Sequence, residues 1–248
     1  MIQFGLDAPL PEPEEALDHL LSNEDVWFES YADAFIDRGF DDHARQLVAE
    51  ALVDGGSGQQ RRARQWLIDF HAERDQTEDA FEYARHDFMA NPSRSTLARA
   101  CELASGLQLD DSVVEEMREH LRQQAPAELV RLQLEEGRHD EALETWRTDY
   151  DRGRGMSLEL DIADAVRESH PDVAIDFWAE AADGLIARRG RGNYKTAAKY
   201  FGNIRDVYEQ TEREGQWNDL AKWLFEEHNR LPAFKDEMRK AGLAPDES

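Results

Sequence analysis

Between Gly184 and Arg205 the chain has no Asp or Glu, although its formal net charge is −25. That stretch carries Arg188, Arg189, Arg191, Lys195, Lys199 and Arg205, interleaved with Tyr194, Tyr200 and Phe201. Such a stretch suits an acidic protein surface. It also suits a single-stranded nucleic acid, whose phosphates meet the cations while its bases stack on the rings. A third reading is that the cations only offset the protein's own carboxylates. A second acid-free stretch, Gly58 to Trp66, holds Arg61, Arg62 and Arg64. The candidate partner-binding residues are therefore Arg188, Arg189, Arg191, Tyr194, Lys195 and Lys199, with Arg61, Arg62 and Arg64 as a secondary basic patch. A nucleic-acid-associated accessory role is the disfavoured alternative. The usual footprint of such a protein is a basic domain, and phosphate contacts weaken steeply with salt.

The other chemistry-bearing residues are less specific. Paired carboxylates such as Glu14-Glu15, Asp110-Asp111 and Glu115-Glu116 carry little information in a chain with 54 acids; they read as solvated faces. None of the eight histidines stands in an H-E-x-x-H pattern. Glu116 and His120, like Glu82 and His86, are four apart rather than at the Glu-x-x-His spacing of helical-bundle metal sites. His139 and His170 fall in matching turns, which predicts turn or cap roles. Ser57 in Gly-Gly-Ser-Gly has no strand before it and no Lys-Ser or Lys-Thr after it, so the run is neither a phosphate loop nor a nucleophile elbow. It reads as a flexible link. Cys101, the only cysteine, excludes an internal disulfide and a multi-cysteine zinc site, and it reads as a buried structural thiol. No cofactor, metal site or active site is expected.

The charge has its own meaning. Lysine is confined to Lys195, Lys199, Lys222, Lys235 and Lys240, and acids outnumber Lys plus Arg by 54 to 29. This acidic, lysine-poor profile resembles that of salt-in halophiles. In molar salt the screening length falls to about 3 Å, so dense carboxylates repel one another much less. At low ionic strength the same repulsion opposes the compact state. The first residues, MIQFGLDAPLPEPEEA, have no basic start and no apolar core of signal-peptide length, and no run approaches a membrane span. A cytoplasmic location is expected.

The elements that position these residues are helices. Large apolar residues recur three and four apart, as in Val26, Tyr31 and Phe35; Trp66, Leu67 and Phe70; Phe81, Ala84 and Phe88; and Val173, Phe177 and Trp178. Glycines and prolines mark the breaks: Gly39, Gly55 to Gly58, Pro92, Gly106, Pro126, Gly137, Gly153 to Gly155, Pro171, Gly215 and Pro232. This pattern predicts an all-α chain of about thirteen or fourteen helices. The segments from Gly39, Gln76, Gly137 and His170 share a polar turn, then acids, then Ala44, Ala80, Ala142 or Ala174, then large apolar residues. A period near 34 residues with an alanine at a helix–helix contact is the pattern of tetratricopeptide-like arrays. The expectation is a TPR-like α-solenoid of antiparallel helical pairs. Residues 1–56 would be N-terminal pairs, 57–183 the array and 184–248 a C-terminal tail of one continuous solenoid.

The tail carries a family resemblance. Tyr194 with Ala197-Ala198 and Tyr200, then Tyr208, Trp217, Trp223-Leu224, Arg230 to Lys235 and Leu243 resemble the C-terminal helical region of prokaryotic SWIM zinc-finger proteins. The resemblance covers about fifty residues and implies a helical interaction array. The family's upstream C-x-C-x(n)-C-x-H zinc site is absent, since Cys101 is the sole cysteine, so the finger's role does not carry over. From the residues themselves, Ala197, Ala198, Phe201, Ile204, Val207 and Tyr208 form an apolar stripe expected in the core. Trp217, Leu220, Trp223 and Leu224 are expected to face it. Arg188, Arg189 and Arg191 are expected at a helix C-terminus or the loop after it, where the macrodipole favours cations. The chain as a whole reads as a non-catalytic protein-interaction scaffold.

Overall fold

A computed structural model describes residues 28–149 and 157–245. Val26 and Gly153 to Gly155 lie outside the described residues. Among the latter the secondary structure is entirely helical, in thirteen helices: α1 Phe28–Ile36, α2 Asp41–Asp54, α3 Ser57–Ala72, α4 Thr77–Ala90, α5 Arg94–Gly106, α6 Asp111–Gln124, α7 Pro126–Glu135, α8 His139–Asp149, α9 Ser157–Val166, α10 Pro171–Arg188, α11 Arg191–Gln210, α12 Glu214–Glu227 and α13 Pro232–Lys240. None is long and apolar enough to cross a membrane.

Most odd-numbered helices share one kind of ending. After α1, α3, α5, α7, α11 and α13 the chain turns through a residue of positive φ: Gly39, Asp75, Gln108, Gly137, Glu212 and Gly242. The next amide then reaches back five residues, as in Phe40 to the Phe35 carbonyl (2.9 Å), Arg138 to Gln133 (2.8 Å) and Arg213 to Tyr208 (2.7 Å). This is the Schellman closure, which satisfies carbonyls that the helix end would otherwise orphan. The even-numbered helices α2, α4 and α6 end instead in residues outside the left-handed region, Gly55, Asn91 and Ala125. Helices α1, α3, α5, α7 and α11 thus turn tightly into the helices that follow them; α9 ends without a left-handed residue, and α10 ends through two, Arg189 and Gly190.

The four alanines picked from the sequence sit at one structural position. Ala44, Ala80, Ala142 and Ala174 are each the fourth residue of an even-numbered helix, and each is fully buried. The amide of each makes an i→i−4 bond, to Phe40, Gln76, Arg138 and His170. A larger side chain there would push the paired helix away. In α6 the fourth residue is Val114, and it is only half-buried. Even-numbered helices begin at Asp41, Thr77, Asp111, His139, Pro171 and Glu214, in steps of 36, 34, 28, 32 and 43 residues.

The chain divides into two compact units, Met1–Ala125 and Pro126–Ser248. In the first, each of α1 to α5 packs on the next. In the second, α7 packs on α8, α8 on α9, α9 on α10, α10 on α11 and α11 on α12, while α7 also touches α9 and α11 touches α13. The division at 56/57 expected from sequence lies inside the first unit, and that at 183/184 falls inside α10. The core of the second unit gathers Trp178, Phe201, Leu224 and Phe234, all at most 2% exposed.

Polar contacts between residues 30 to 41 apart in sequence join non-adjacent segments within each unit. In the first unit Trp66 donates to Asp33 (2.8 Å), Arg74 pairs with Asp41 (3.4 Å) and Arg99 with Asp69 (3.5 Å). In the second, Arg131 pairs with Asp161 (3.0 Å), His170 with Asp140 (2.9 Å) and Arg213 with Asp172 (2.6 Å). Exposed pairs like these contribute from nothing to about 1 kcal/mol each.

Several local expectations change. Ser57 and Gly58 are already in α3, so only Gly55 and Gly56 form the link. Gly215 lies in the first turn of α12, and Pro92 precedes the cap of α5 rather than entering its first turn. Pro126, Pro171 and Pro232 each open a helix, where a missing N–H costs nothing. Cys101 is half-buried in α5.

Candidate functional site

The long acid-free stretch forms the end of α10, a two-residue turn and most of α11. Arg188 is the last residue of α10, Arg189 caps it at φ 56°, and Gly190 follows at φ 98°. Arg191 is the first residue of α11, not part of a helix C-terminus as expected. A cation there opposes the macrodipole, and it is held instead by carboxylates of α13: Asp236 at 3.0 Å and Glu237 at 3.7 Å. Arg205 is likewise occupied, by Asp206 (2.9 Å) and Glu209 (3.3 Å). The hydrogen bond from Lys240, with Arg191 adding its charge, holds the Asp236 carboxyl below its ordinary value.

The remaining four cations are different. Arg188, Arg189, Lys195 and Lys199 are exposed and make no ion pair among the described residues. Lys195 and Lys199 stand one turn apart on the outer face of α11, opposite the buried stripe of Ala197, Ala198, Phe201, Ile204 and Val207. With Arg188 and Arg189 at its head, this face is a strip of uncompensated positive charge.

Of the three aromatic residues among them, Tyr194 and Phe201 belong to the core, and Tyr200 is half-buried against it. Tyr194 is 5% exposed and packs edge-on against Phe234, ring centres 5.9 Å apart; Phe201 meets the same ring at 6.3 Å. Tyr194 therefore positions α11 against α13 and presents no open ring face. Trp217 and Leu224 are buried as the facing stripe requires, but Trp223 is 50% exposed, beside His228. At one residue from Leu224 it is rotated about 100° around the helix and out of the stripe.

The secondary patch is dispersed. Arg62 pairs with Glu29 of α1 at 2.6 Å, and Arg64 pairs with Asp87 of α4 at 3.1 Å in a site where both side chains are largely buried. Arg61 alone of the three stays exposed without an ion pair. Sequence reasoning missed Asp87. Its signal was a carboxylate three residues beyond Ala84, on the apolar stripe of α4.

His139 and His170 meet across their two turns. His139 Nδ1 lies 2.7 Å and His170 Nδ1 3.1 Å from Ser169 Oγ, while His170 Nε2 lies 2.9 Å from Asp140. One proton arrangement satisfies all three contacts: His139 donates to Ser169, Ser169 to His170, and His170 to Asp140. The group lies at the surface, Asp140 being 91% exposed, and joins the two turns.

Charge is distributed unevenly along the chain. Residues 184–248 hold twelve Lys and Arg against eleven Asp and Glu, including all five lysines. Residues 1–183 hold seventeen against forty-three, so the whole net negative charge lies there.

No protein-family model matches the chain. Over 83 residues it is 26% identical to a Bacillus subtilis (strain 168) protein named "Uncharacterized protein YwqB". The match covers 34% of this chain and 16% of that relative, so the chain spans about a sixth of the relative's length.

Proposed function

We propose that the chain is a TPR-like solenoid acting as a non-catalytic scaffold, and that the outer face of α11 with the end of α10 docks an acidic protein partner. The observation that carries this reading is the set of four cations that have no ion pair among the described residues, Arg188, Arg189, Lys195 and Lys199. A protein with 54 acids has ample means to pair them, and it pairs their neighbours Arg191 and Arg205. The tight turns between helices and the recurrent buried alanine support the solenoid, since stacked helical pairs bury a continuous core. The resemblance of the tail to the helical region of SWIM zinc-finger proteins fits an interaction role. The burial of Tyr194 and Phe201 favours a protein over a nucleic acid, because stacking needs open rings.

The test is affinity capture from native cells at matched ionic strength. Wild type should retain one stoichiometric acidic protein that the R188E/R189E/K195E/K199E variant loses. Recovery of no such partner, or equal recovery by both, contradicts the reading. A salt-rich cell interior is the setting the charge fits. Thermal stability should therefore rise steadily with KCl, as screening relieves carboxylate repulsion, and a flat or falling curve would remove that setting.

A further inference from the structure

The buried pair Arg64–Asp87 sits beside a cavity of about 90 Å³ between α3, α4 and α5. Its apolar floor includes Ile68 and Ala84, and its polar lining includes Arg61, Arg99, Ser95 and Asp87. The Asp87 side chain is 5% exposed. Its Oδ1 accepts from both Arg64 Nε and Asn91 Nδ2, each at 3.1 Å. No hydrogen bond falls on Oδ2 among the described residues. The site thus holds a nearly buried carboxylate with one oxygen unspent, next to Arg61, which has no acid partner among the described residues, and Arg99, which pairs with the exposed Asp69 and Glu102. Arg61 and Arg99 line the cavity, and Arg64 holds Asp87 at its edge; the carboxylates Asp87, Asp69 and Glu102 balance these three guanidinium groups.

Each feature narrows the ligand. The volume holds several waters or one small ion. Two arginines on different helices, with a serine hydroxyl, offer donors from separate directions to an oxyanion. The unspent Asp87 oxygen favours a ligand that also donates a proton. A carboxylate has none to give, nor has sulfate. A phosphate monoester has lost most of its own at neutral pH, its second pKa being about 6. Inorganic hydrogenphosphate keeps one P–OH.

We propose that this cavity binds inorganic hydrogenphosphate, Arg61 and Arg99 meeting its charged oxygens and Asp87 Oδ2 accepting from its P–OH. The site lies in the first unit and is independent of the basic strip on α10 and α11.

Calorimetric titration of the full chain with sodium phosphate, sulfate, acetate and phenyl phosphate, at one ionic strength and neutral pH, tests it. Phosphate should bind at least about ten-fold more tightly than the other three, the factor expected when a buried acceptor is left unmet. Arg61→Gln and Arg99→Gln should each weaken phosphate binding while keeping the fold by circular dichroism. Asp87→Asn should bring sulfate up to phosphate, since an amide can donate where the carboxylate only accepts. Equal binding of sulfate and phosphate by wild type overturns the proposal, as does no measurable phosphate binding. Unchanged phosphate binding in both arginine variants overturns it too, without needing the buried Asp87 variant to fold. Acetate binding as tightly as phosphate would reassign the cavity to carboxylates.

Discussion

The two acid-free stretches look alike in composition and meet opposite fates. On α3, Arg62 and Arg64 are drawn into pairs with Glu29 and Asp87, because the helices on either side place carboxylates opposite them. On α10 and α11, Arg188, Arg189, Lys195 and Lys199 project from a face that no acid of the described residues reaches. The lesson is that a basic run marks a surface only when its helix has an uncovered side. Two of the three cations on α3 are structural, Arg61 being the exception, whereas four of the six on α10 and α11 are available.

Mutation should separate the two cases sharply. Arg64→Ala strands the Asp87 carboxylate in a largely buried site and should cost about 3–5 kcal/mol in urea unfolding. Lys195→Ala with Lys199→Ala should change stability by no more than about 0.5 kcal/mol per site, as exposed substitutions usually do. A small loss for Arg64→Ala would mean that the pair is wetter than its burial indicates. A large loss for the lysines would mean that α11 is covered after all.

The turns allow a comparison of the units that does not involve the cations. Gln108 in the first unit and Glu212 in the second both hold the left-handed conformation where Gly39 and Gly137 hold it without strain. Gln108→Gly and Glu212→Gly should each stabilise by about 1 kcal/mol, read from the urea midpoint at constant slope. Gly39→Ala and Gly137→Ala should destabilise by a similar amount. If the glycine substitutions have no effect, the Schellman closure is not what holds these turns.

How much of this could be read beforehand depended on distance along the chain. Helices, their apolar faces and the recurrent Ala44, Ala80, Ala142 and Ala174 follow from local spacing, and the structure places all four alanines at one buried position. The pairing of Arg62, Arg64 and Arg191 did not follow, because Glu29, Asp87 and Asp236 lie 33, 23 and 45 residues away. Trp223 was misplaced because its neighbour Leu224 occupies the buried face and a large apolar residue was assumed to follow it inward. The Asp87 cavity escaped notice because one carboxylate in an apolar stripe is easily lost among 54 acids.

A smaller effect concerns Asp183 on α10, whose pKa burial pushes up while the charge of His228 opposes the rise. A raised carboxyl pKa means that the folded state binds the proton more readily than the unfolded chain, so this group's ionisation opposes folding above its folded pKa. Asp183→Asn should therefore raise the melting temperature slightly at neutral pH, and the gain should shrink as pH falls through the acid range above 3.8. Asp236, held low by Lys240, has the opposite sign: its contribution persists at neutral pH and disappears on acidification below 3.8. On acidification the melting temperatures of Asp183→Asn and Asp236→Asn should converge on wild type from opposite sides, the first above 3.8 and the second below it.

Zero-length carbodiimide crosslinking in native-cell extract, read by mass spectrometry, tests the difference between the stretches most directly. The reagent joins an amine to a carboxylate only where the two are in contact. Lys240 should couple internally to Asp236, 2.9 Å away, and serves as the control within the same chain. The account predicts that Lys195 and Lys199 couple instead to Asp or Glu of one other acidic protein. If Lys240 couples and these two lysines join only carboxylates of their own chain, or none, the strip on α11 is not a docking surface and the comparison fails.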